Sequence, residues 1–438
     1  MSALLNELIV YKNFHDDGLF EDMLRLVELD MGISKGSLPL PCSSAGRNLF
    51  FKCMRKLLDF SETYILENNI WQNYCTFVLI NNENYFSLFW ERNKSAATEI
   101  SLEIVHDFKI MQSVFNYDLH NFSQTLGINH VMIESICNYS ALNQKSKHIN
   151  TALIKKINIL VKSLKNAETP QEFGQFIREF YSAYGSGKYL LYRAFKIDNN
   201  CKIVSITNTK DIYLDDLVGY EAQKKQLREN TESFIKGHEV NNVLLFGDSG
   251  TGKSSSIKAI LNEYASSGIR MIQIFKHQLG YLQDLINQIK YRNYYFIIYM
   301  DDLSFEDGEN EYKYLKALIE GGLEERPQNI VIYATSNRRH LIKEQWKDRE
   351  DQDEEVNRSD TIQEKLSLAA RFGVAIFYLA PDRKEYNNII KSLANKHNLN
   401  ISEEELYLLA NRWELRHGGL SGRTAQQFLL WLLGQIDE

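Results

Sequence analysis

The sequence predicts an α/β fold over its second half: a parallel sheet with covering helices and a small C-terminal helical lid. A mostly α-helical N-terminal domain precedes it. Three observations predict this. From about residue 211, short apolar β-rich runs alternate with amphipathic stretches, the pattern of strand–helix–strand units. One of those strands, Asn242–Phe246, leads straight into a glycine-rich turn and an amphipathic run. Residues 1–185 instead place Ile, Leu and Val at three- and four-residue steps. The domain plan that follows is helical over 1–185, a hairpin or linker over 186–210, an αβα domain over 211–380 and a helical lid over 381–438.

In the first region, Leu4, Leu5, Leu8 and Ile9 share a helical face, as do Met23, Leu24 and Val27. Pro39 and Pro41 break the chain, and runs such as 96–113 and 148–165 resume the helical step. Thr169-Pro170-Gln171-Glu172 reads as a capping box with proline at the first helical position, opening a helix through about Tyr184. The Tyr and Phe residues here recur at helical spacing and are expected in the core. Gly185-Ser186-Gly187 marks a break. Tyr189–Ile197 and Cys201–Ile206 then read as two strands around the turn Asp198-Asn199-Asn200.

Composition narrows the class. The chain has 438 residues, 44% hydrophobic and 24% charged, which excludes a disordered or collagen-like protein. Its 50 basic and 57 acidic side chains give a formal charge of -7, which argues against a nucleic-acid coat protein. Residues 1–205 carry 21 of each sign, whereas 344–364 alone carry 9 acidic and 3 basic residues. The five cysteines lack a C-x-x-C pair, and no histidine stands at metal-ligand spacing beside them, so free thiols in a reducing compartment are expected. Met1–Asp17 has neither the basic start nor the apolar run of a signal peptide. The longest apolar runs, about seven residues, are too short to cross a bilayer. The expectation is a soluble cytoplasmic protein without membrane contact.

The chemistry concentrates at Gly247-Asp248-Ser249-Gly250-Thr251-Gly252-Lys253-Ser254, followed by the helix-like run Ser255–Tyr264. This is G-x-x-x-x-G-K-S between a strand and a helix. Glycines let backbone N–H groups wrap a phosphate without Cβ clashes, and a helix N-terminus adds a dipole that favours anions. Lys253 would place a positive charge on the β- and γ-phosphates, and Ser254 a hydroxyl on Mg²⁺. The partner acids are read at Asp301-Asp302, which end the apolar run Tyr295–Met300, 48 residues after Lys253. Asp301 would hold Mg²⁺, and Asp302 would orient or deprotonate an attacking water. The next strand, Asn329–Ala334, ends in the turn-like Thr335-Ser336-Asn337. Arg371 stands just before a further apolar strand, Val374–Leu379.

In this order the parts resemble the AAA+ ATPases. The matching segments are Asp216-Leu217-Val218-Gly219, Walker A at 247–254, Walker B ending at Asp301-Asp302, sensor 1 at Asn337, an arginine finger at Arg371 and sensor 2 at Arg423. The resemblance covers about 205–435. The wording of DDLVGYEAQKKQL, NNVLLFGDSGTGKSS, DDLSFE and TSNRRHL also resembles a bacterial AAA+ family known only as a domain of unknown function.

The resemblance implies ATP and Mg²⁺ as ligands. It puts Val218 and Gly219 near the adenine, and Asp248, Ser249, Gly250, Thr251, Gly252, Lys253, Ser254 and Ser255 around the phosphates. Asn337 joins Asp302 at the reacting end. Arg371 would reach into a neighbouring copy, so a homo-oligomer is implied, and Arg423 would contact phosphate from lid helices read at 383–397, 403–415 and 421–435. Ser402-Glu403-Glu404-Glu405 reads as a capping box for the middle one. AAA+ enzymes usually carry Glu where this chain has Asp302, and often an acid where it has Ala370. Leu279-Gly280-Tyr281 reads as a helix start rather than a pore loop.

Three functions follow from these parts. The first is a Mg²⁺-dependent ATPase that couples nucleotide state to lid and subunit motion and remodels an unknown protein partner, with the N-terminal helices binding that target or positioning the motor. The second is an ATP-binding switch or scaffold with little turnover. The third is a DNA-associated loader or transposition helper, drawn from the basic cluster Arg338-Arg339-His340 with Lys343. The acidic stretch 344–364, with Asp351, Asp353, Glu354 and Glu355, reads as a solvated loop or as a set of charges facing a neighbouring subunit.

Overall fold

The computed structural model describes residues 2–12, 14, 18–32, 44–93, 99–142, 151–305, 311–320, 327–337 and 370–436. It divides into two compact units, Met1–Tyr192 and Arg193–Glu438.

The described elements of the first unit are helices, apart from one isolated β-bridge between Asn68 and Tyr139. Its longest helices are Ser44–Tyr64, Leu102–Phe115, Thr151–Asn166 and Pro170–Tyr184. The aromatic residues lie in the core, as their spacing predicts, with Trp71, Phe108, Phe115 and Tyr181 fully buried. Pro170–Tyr184 turns Phe173, Ile177, Phe180 and Tyr181 to one face, the i, i+4, i+7, i+8 stripe of a core-facing helix. Gly174 on that helix lets it close on Phe108, whose ring lies 2.4 Å from where a Cβ would stand. The buried carboxylate of Asp107 accepts the N–H groups of Ile9, Val10 and Tyr11 at 2.8, 2.7 and 3.0 Å. Those three bonds fasten the N-terminal segment to a helix almost a hundred residues later, and they satisfy a charge that would be costly to bury alone. The capping box at the start of Pro170–Tyr184 is half formed. Thr169 Oγ1 accepts the Glu172 N–H, but the Glu172 carboxylate accepts from Glu168, one residue before the cap.

The second unit carries a seven-stranded sheet in the order β2-β1-β4-β5-β6-β3-β7. The strands are β1 Ala194–Ile197, β2 Ile203–Ser205, β3 Val243–Gly247, β4 Ile269–Ile274, β5 Tyr295–Met300, β6 Ile330–Ser336 and β7 Val374–Tyr378. All neighbours pair in parallel except β1 with β2. The central strands are buried on both faces, as helix-covered parallel sheets require. The described helices of eight or more residues here are α1 Glu221–Ile235, α2 Lys253–Tyr264, α3 Leu282–Ile289, α4 Glu311–Glu320, α5 Arg383–Lys396, α6 Glu403–Glu414 and α7 Gly422–Ile436. The last three form the lid around Tyr386, Ile390, Ala410 and Phe428.

Two expectations change. The strand read at Tyr189–Ile197 begins only at Ala194, because Lys188–Leu191 is a helical turn whose Leu190 and Leu191 pack into the N-terminal core. The hairpin is also part of the sheet rather than a linker, since β1 pairs with β4 from Ala194↔Met271 to Lys196↔Gln273. Leu279-Gly280-Tyr281 closes a 3₁₀ turn that leads into α3.

Candidate functional site

The sheet order builds the site. The glycine-rich loop leaves β3, one strand in from the β7 edge, and the acid pair leaves β5, with only β6 between them. Ligands of open α/β sheets bind beyond these carboxyl ends. Gly247 is held at φ 126°, and a Cβ there would stand 2.1 Å from the Tyr378 carbonyl oxygen, so no other residue fits beside β7. Gly250 and Gly252 are also left-handed, at φ 78° and 95°, and they turn the loop into the N-terminus of α2.

Lys253 is buried, and its ammonium donates to the carbonyls of Gly247 at 2.9 Å and Asp248 at 2.5 Å. Burial pulls its pKa down, opposed by the charges of Asp248 and Asp302. Two neutral carbonyls are weak partners for a buried cation, and a phosphate oxygen would be a far stronger one.

Beside the loop, three hydroxyl and carboxylate groups converge. Ser254 Oγ donates to Asp301 Oδ1 at 2.6 Å, and Thr335 Oγ1 donates to the same oxygen at 2.7 Å. The Thr335 hydroxyl in turn accepts the Asp302 N–H at 2.9 Å. Desolvation at the strand end would raise the Asp301 pKa, but the hydrogen bonds from Ser254 and Thr335 outweigh it and hold the carboxyl below its ordinary range. The carboxylate is therefore ionised at neutral pH. The Asn337 amide donates to Asp302 Oδ1 at 2.8 Å. Asp302 itself sits at φ 52°, a left-handed backbone that Asp tolerates better than most side chains.

These groups share one cavity of about 420 Å³. It is lined on the core side by Val218, Ser249–Ser256, Asp301, Asp302, Thr335 and Asn337, and on the lid side by Ile389, Leu393 and Arg423. Val218 also packs against the lid core. The lid meets the phosphate loop directly. The Arg423 N–H donates to the Gly250 carbonyl at 3.2 Å, and the Ser421 Oγ lies 2.9 Å from where a Gly250 Cβ would be. A second tie, Lys396 Nζ to Asp216 Oδ1 at 2.5 Å, joins α5 to the segment before Val218.

Three of the expected site residues stand apart from this lining. The Asp248 carboxylate accepts the Ala380 N–H at 2.7 Å and its N–H donates to Tyr378, so it clasps the chain where β7 runs toward the lid. Gly219, at φ 82°, shapes the turn into α1 beside the left-handed Tyr220. Arg371 lies in the turn before β7 and is not among the cavity residues. Arg338, Arg339, His340, Lys343 and the acidic stretch 344–364 fall outside the described residues. Thr335 is the site residue that sequence reading passed over, because T-S-N looked like a turn. The strand in fact runs on to Ser336 and carries Thr335 between the two acids. No sequence signal marked it, because its place opposite Leu245 of β3 follows from the strand order.

A phosphate loop on β3, an acid pair on β5 with one strand between them, and a three-helix lid over the cleft are the arrangement expected of the AAA+ core that the sequence resembles. The chain belongs to the family described as Protein of unknown function (DUF815), which it matches over residues 190–436, more than half its length. Among solved structures it is similar to Thermotoga maritima RuvB, titled a Holliday junction branch migration motor, at 18% identity and TM-score 0.34. That match covers 49% of this chain and 61% of RuvB, less than two thirds of it. It is also similar to the FIGL-1 AAA domain in complex with ADP, at 18% identity and TM-score 0.34, over 50% of this chain and 72% of that one. Among the described residues no helix is long and apolar enough to cross a membrane.

Proposed function

We propose that the chain is a Mg²⁺-dependent ATPase that converts nucleotide state into movement of its lid and of neighbouring copies. The observation that carries this is the meeting of Ser254, Asp301 and Thr335 beside a phosphate loop whose lysine is buried without a carboxylate partner among the described residues. Loop N–H groups and Lys253 bind the phosphates, and Val218 and the lid residues Ile389 and Leu393 give the base an apolar wall. The donor set fits Mg²⁺, a hard ion that takes oxygen ligands: a hydroxyl from Ser254 and an ionised carboxylate from Asp301. When bound, the ion neutralises charge on the phosphate oxygens. Asp302 takes the proton of the attacking water, and Asn337 fixes the carboxylate that does so. Arg423 reports phosphate occupancy to the lid.

Arg371 completes the site of an adjacent copy, so turnover depends on a homo-oligomer. A finger supplied in trans is worth ~10³–10⁵ in rate in related P-loop enzymes. The N-terminal helical unit holds the protein that is remodelled. The test is steady-state phosphate release at concentrations that promote assembly. Wild type should exceed Lys253→Ala by at least about a hundredfold, and equal rates sink the proposal.

The Asn337 grip on Asp302 favours a second reading, an ATP-binding switch or scaffold with little turnover. It predicts nucleotide-dependent assembly with negligible phosphate release. Turnover that falls in both Asp302→Asn and Arg371→Ala rejects it.

A further inference from the structure

The helical first unit holds a second group of ligand-type side chains, remote in sequence from the phosphate loop. His130 opens the helix His130–Cys137, and Glu134 follows four residues on, so both lie on one face. His120 precedes the short helix Asn121–Thr125, and the turn at 126–129 brings it back against that face. Arg47 pins the turn by donating to the carbonyls of Leu126 and Gly127 at 3.4 and 3.1 Å. One nitrogen of each imidazole and one oxygen of Glu134 lie within 4.8 Å of one another.

The surroundings orient these groups as outer partners orient metal ligands. Asp118 Oδ1 lies 2.7 Å from His120 Nδ1, which fixes the tautomer that leaves Nε2 facing Glu134 at 3.0 Å. Asn138 donates to the other oxygen of Glu134 at 2.6 Å. The two imidazole rings lie 4.8 Å apart, centroid to centroid. Ligands at about 2.0–2.2 Å around a tetrahedral ion are roughly 3.3 Å apart, close to the spacing already present between His120 and Glu134.

We propose that His120, His130 and Glu134 bind a zinc ion, with Asp118 and Asn138 as positioning residues. Two imidazoles and a carboxylate suit Zn²⁺ rather than Mg²⁺, which demands oxygen. Three protein ligands leave a fourth position for water or an external donor.

The test uses the full chain, stripped with chelator, dialysed and free of nucleotide. Zinc is titrated by calorimetry, and Co²⁺ substitution is followed by visible absorption. Wild type should bind one tight equivalent, kept in Asp301→Asn, which alters the other metal-type site. His130→Ala and Glu134→Gln should each weaken binding at least about tenfold, and Asp118→Asn about 10–100-fold. Wild type should also melt at a higher temperature with zinc than after chelation, which reads the site even if a variant misfolds. Three results overturn the proposal: unchanged affinity in His130→Ala, no zinc-dependent rise in melting temperature, or Co²⁺ absorption without tetrahedral character. Any of them leaves His120 as a hydrogen-bonded bridge between two carboxylates.

Discussion

At position 335 one threonine hydroxyl donates to the Asp301 carboxylate and accepts the N–H of Asp302, so a single side chain sets the spacing of both acids. Thr335→Val keeps the shape and removes both bonds. It should weaken Mg²⁺-dependent nucleotide binding by about 1–2 kcal/mol, near a tenfold loss, read by titrating Mg²⁺ at fixed nucleotide. Thr335→Ser should restore it. Asp302→Asn keeps a side chain suited to the left-handed backbone, so it should retain ATP binding while phosphate release falls at least about a hundredfold. Loss of binding in that variant would mean that Asp302 shapes the cleft rather than acts in it. At this scale the sequence was readable wherever chemistry dictates residue type, at Lys253, Ser254 and Asp301. It was silent at Thr335, whose role depends on which strand lies between two others.

The phosphate loop is a β-strand and a helix joined by a turn that only glycine can make. Gly247 has φ 126° and the Tyr378 carbonyl in the space a Cβ would need. Gly247→Ala should cost at least about 3 kcal/mol and separate β3 from β7, seen as a drop in melting temperature. A melting temperature within a degree of wild type would show that the strand pair can shift to accept the methyl group. Element positions were largely legible, because apolar runs and turn residues are local signals. The lid helices fall at Arg383–Lys396, Glu403–Glu414 and Gly422–Ile436, within two residues of expectation at each end. Tyr189–Leu191 misled, since its β-branched-poor but aromatic run is held helical by burial in the first unit's core. Strand order was not legible, because pairing such as Phe246↔Ser336 joins residues ninety apart and leaves no mark in either run.

Across the whole molecule the two units can be followed by their own reporters. Burial pushes the Cys53 thiol up to about 12 and holds Cys75 well above its ordinary value, and both belong to the first unit. Neither should react with maleimide at neutral pH until that unit opens. Labelling at the rate of a model thiol in the native protein would contradict the packing described. In the second unit the Lys396 hydrogen bond, aided by the Tyr213 N–H, lowers the Asp216 pKa. A carboxyl depressed in the folded state adds stability above its unfolded pKa of about 4 and loses it as pH falls through the lower folded value. Lys396 is exposed and Asp216 only partly buried, so the contribution is only about 0.2–1 kcal/mol. Lys396→Met should remove that acid dependence of the lid's thermal transition and leave the neutral-pH fold intact. The tie from Arg423 to Gly250 has a mechanical corollary. A pull on the lid would reach the peptide units that wrap the phosphates through this hydrogen bond and the neighbouring Ser421 contact. Under the proposed function, load on a partner would then be felt at the nucleotide as a change in grip, and a stalled complex would hold or release its fuel according to the tension it bears.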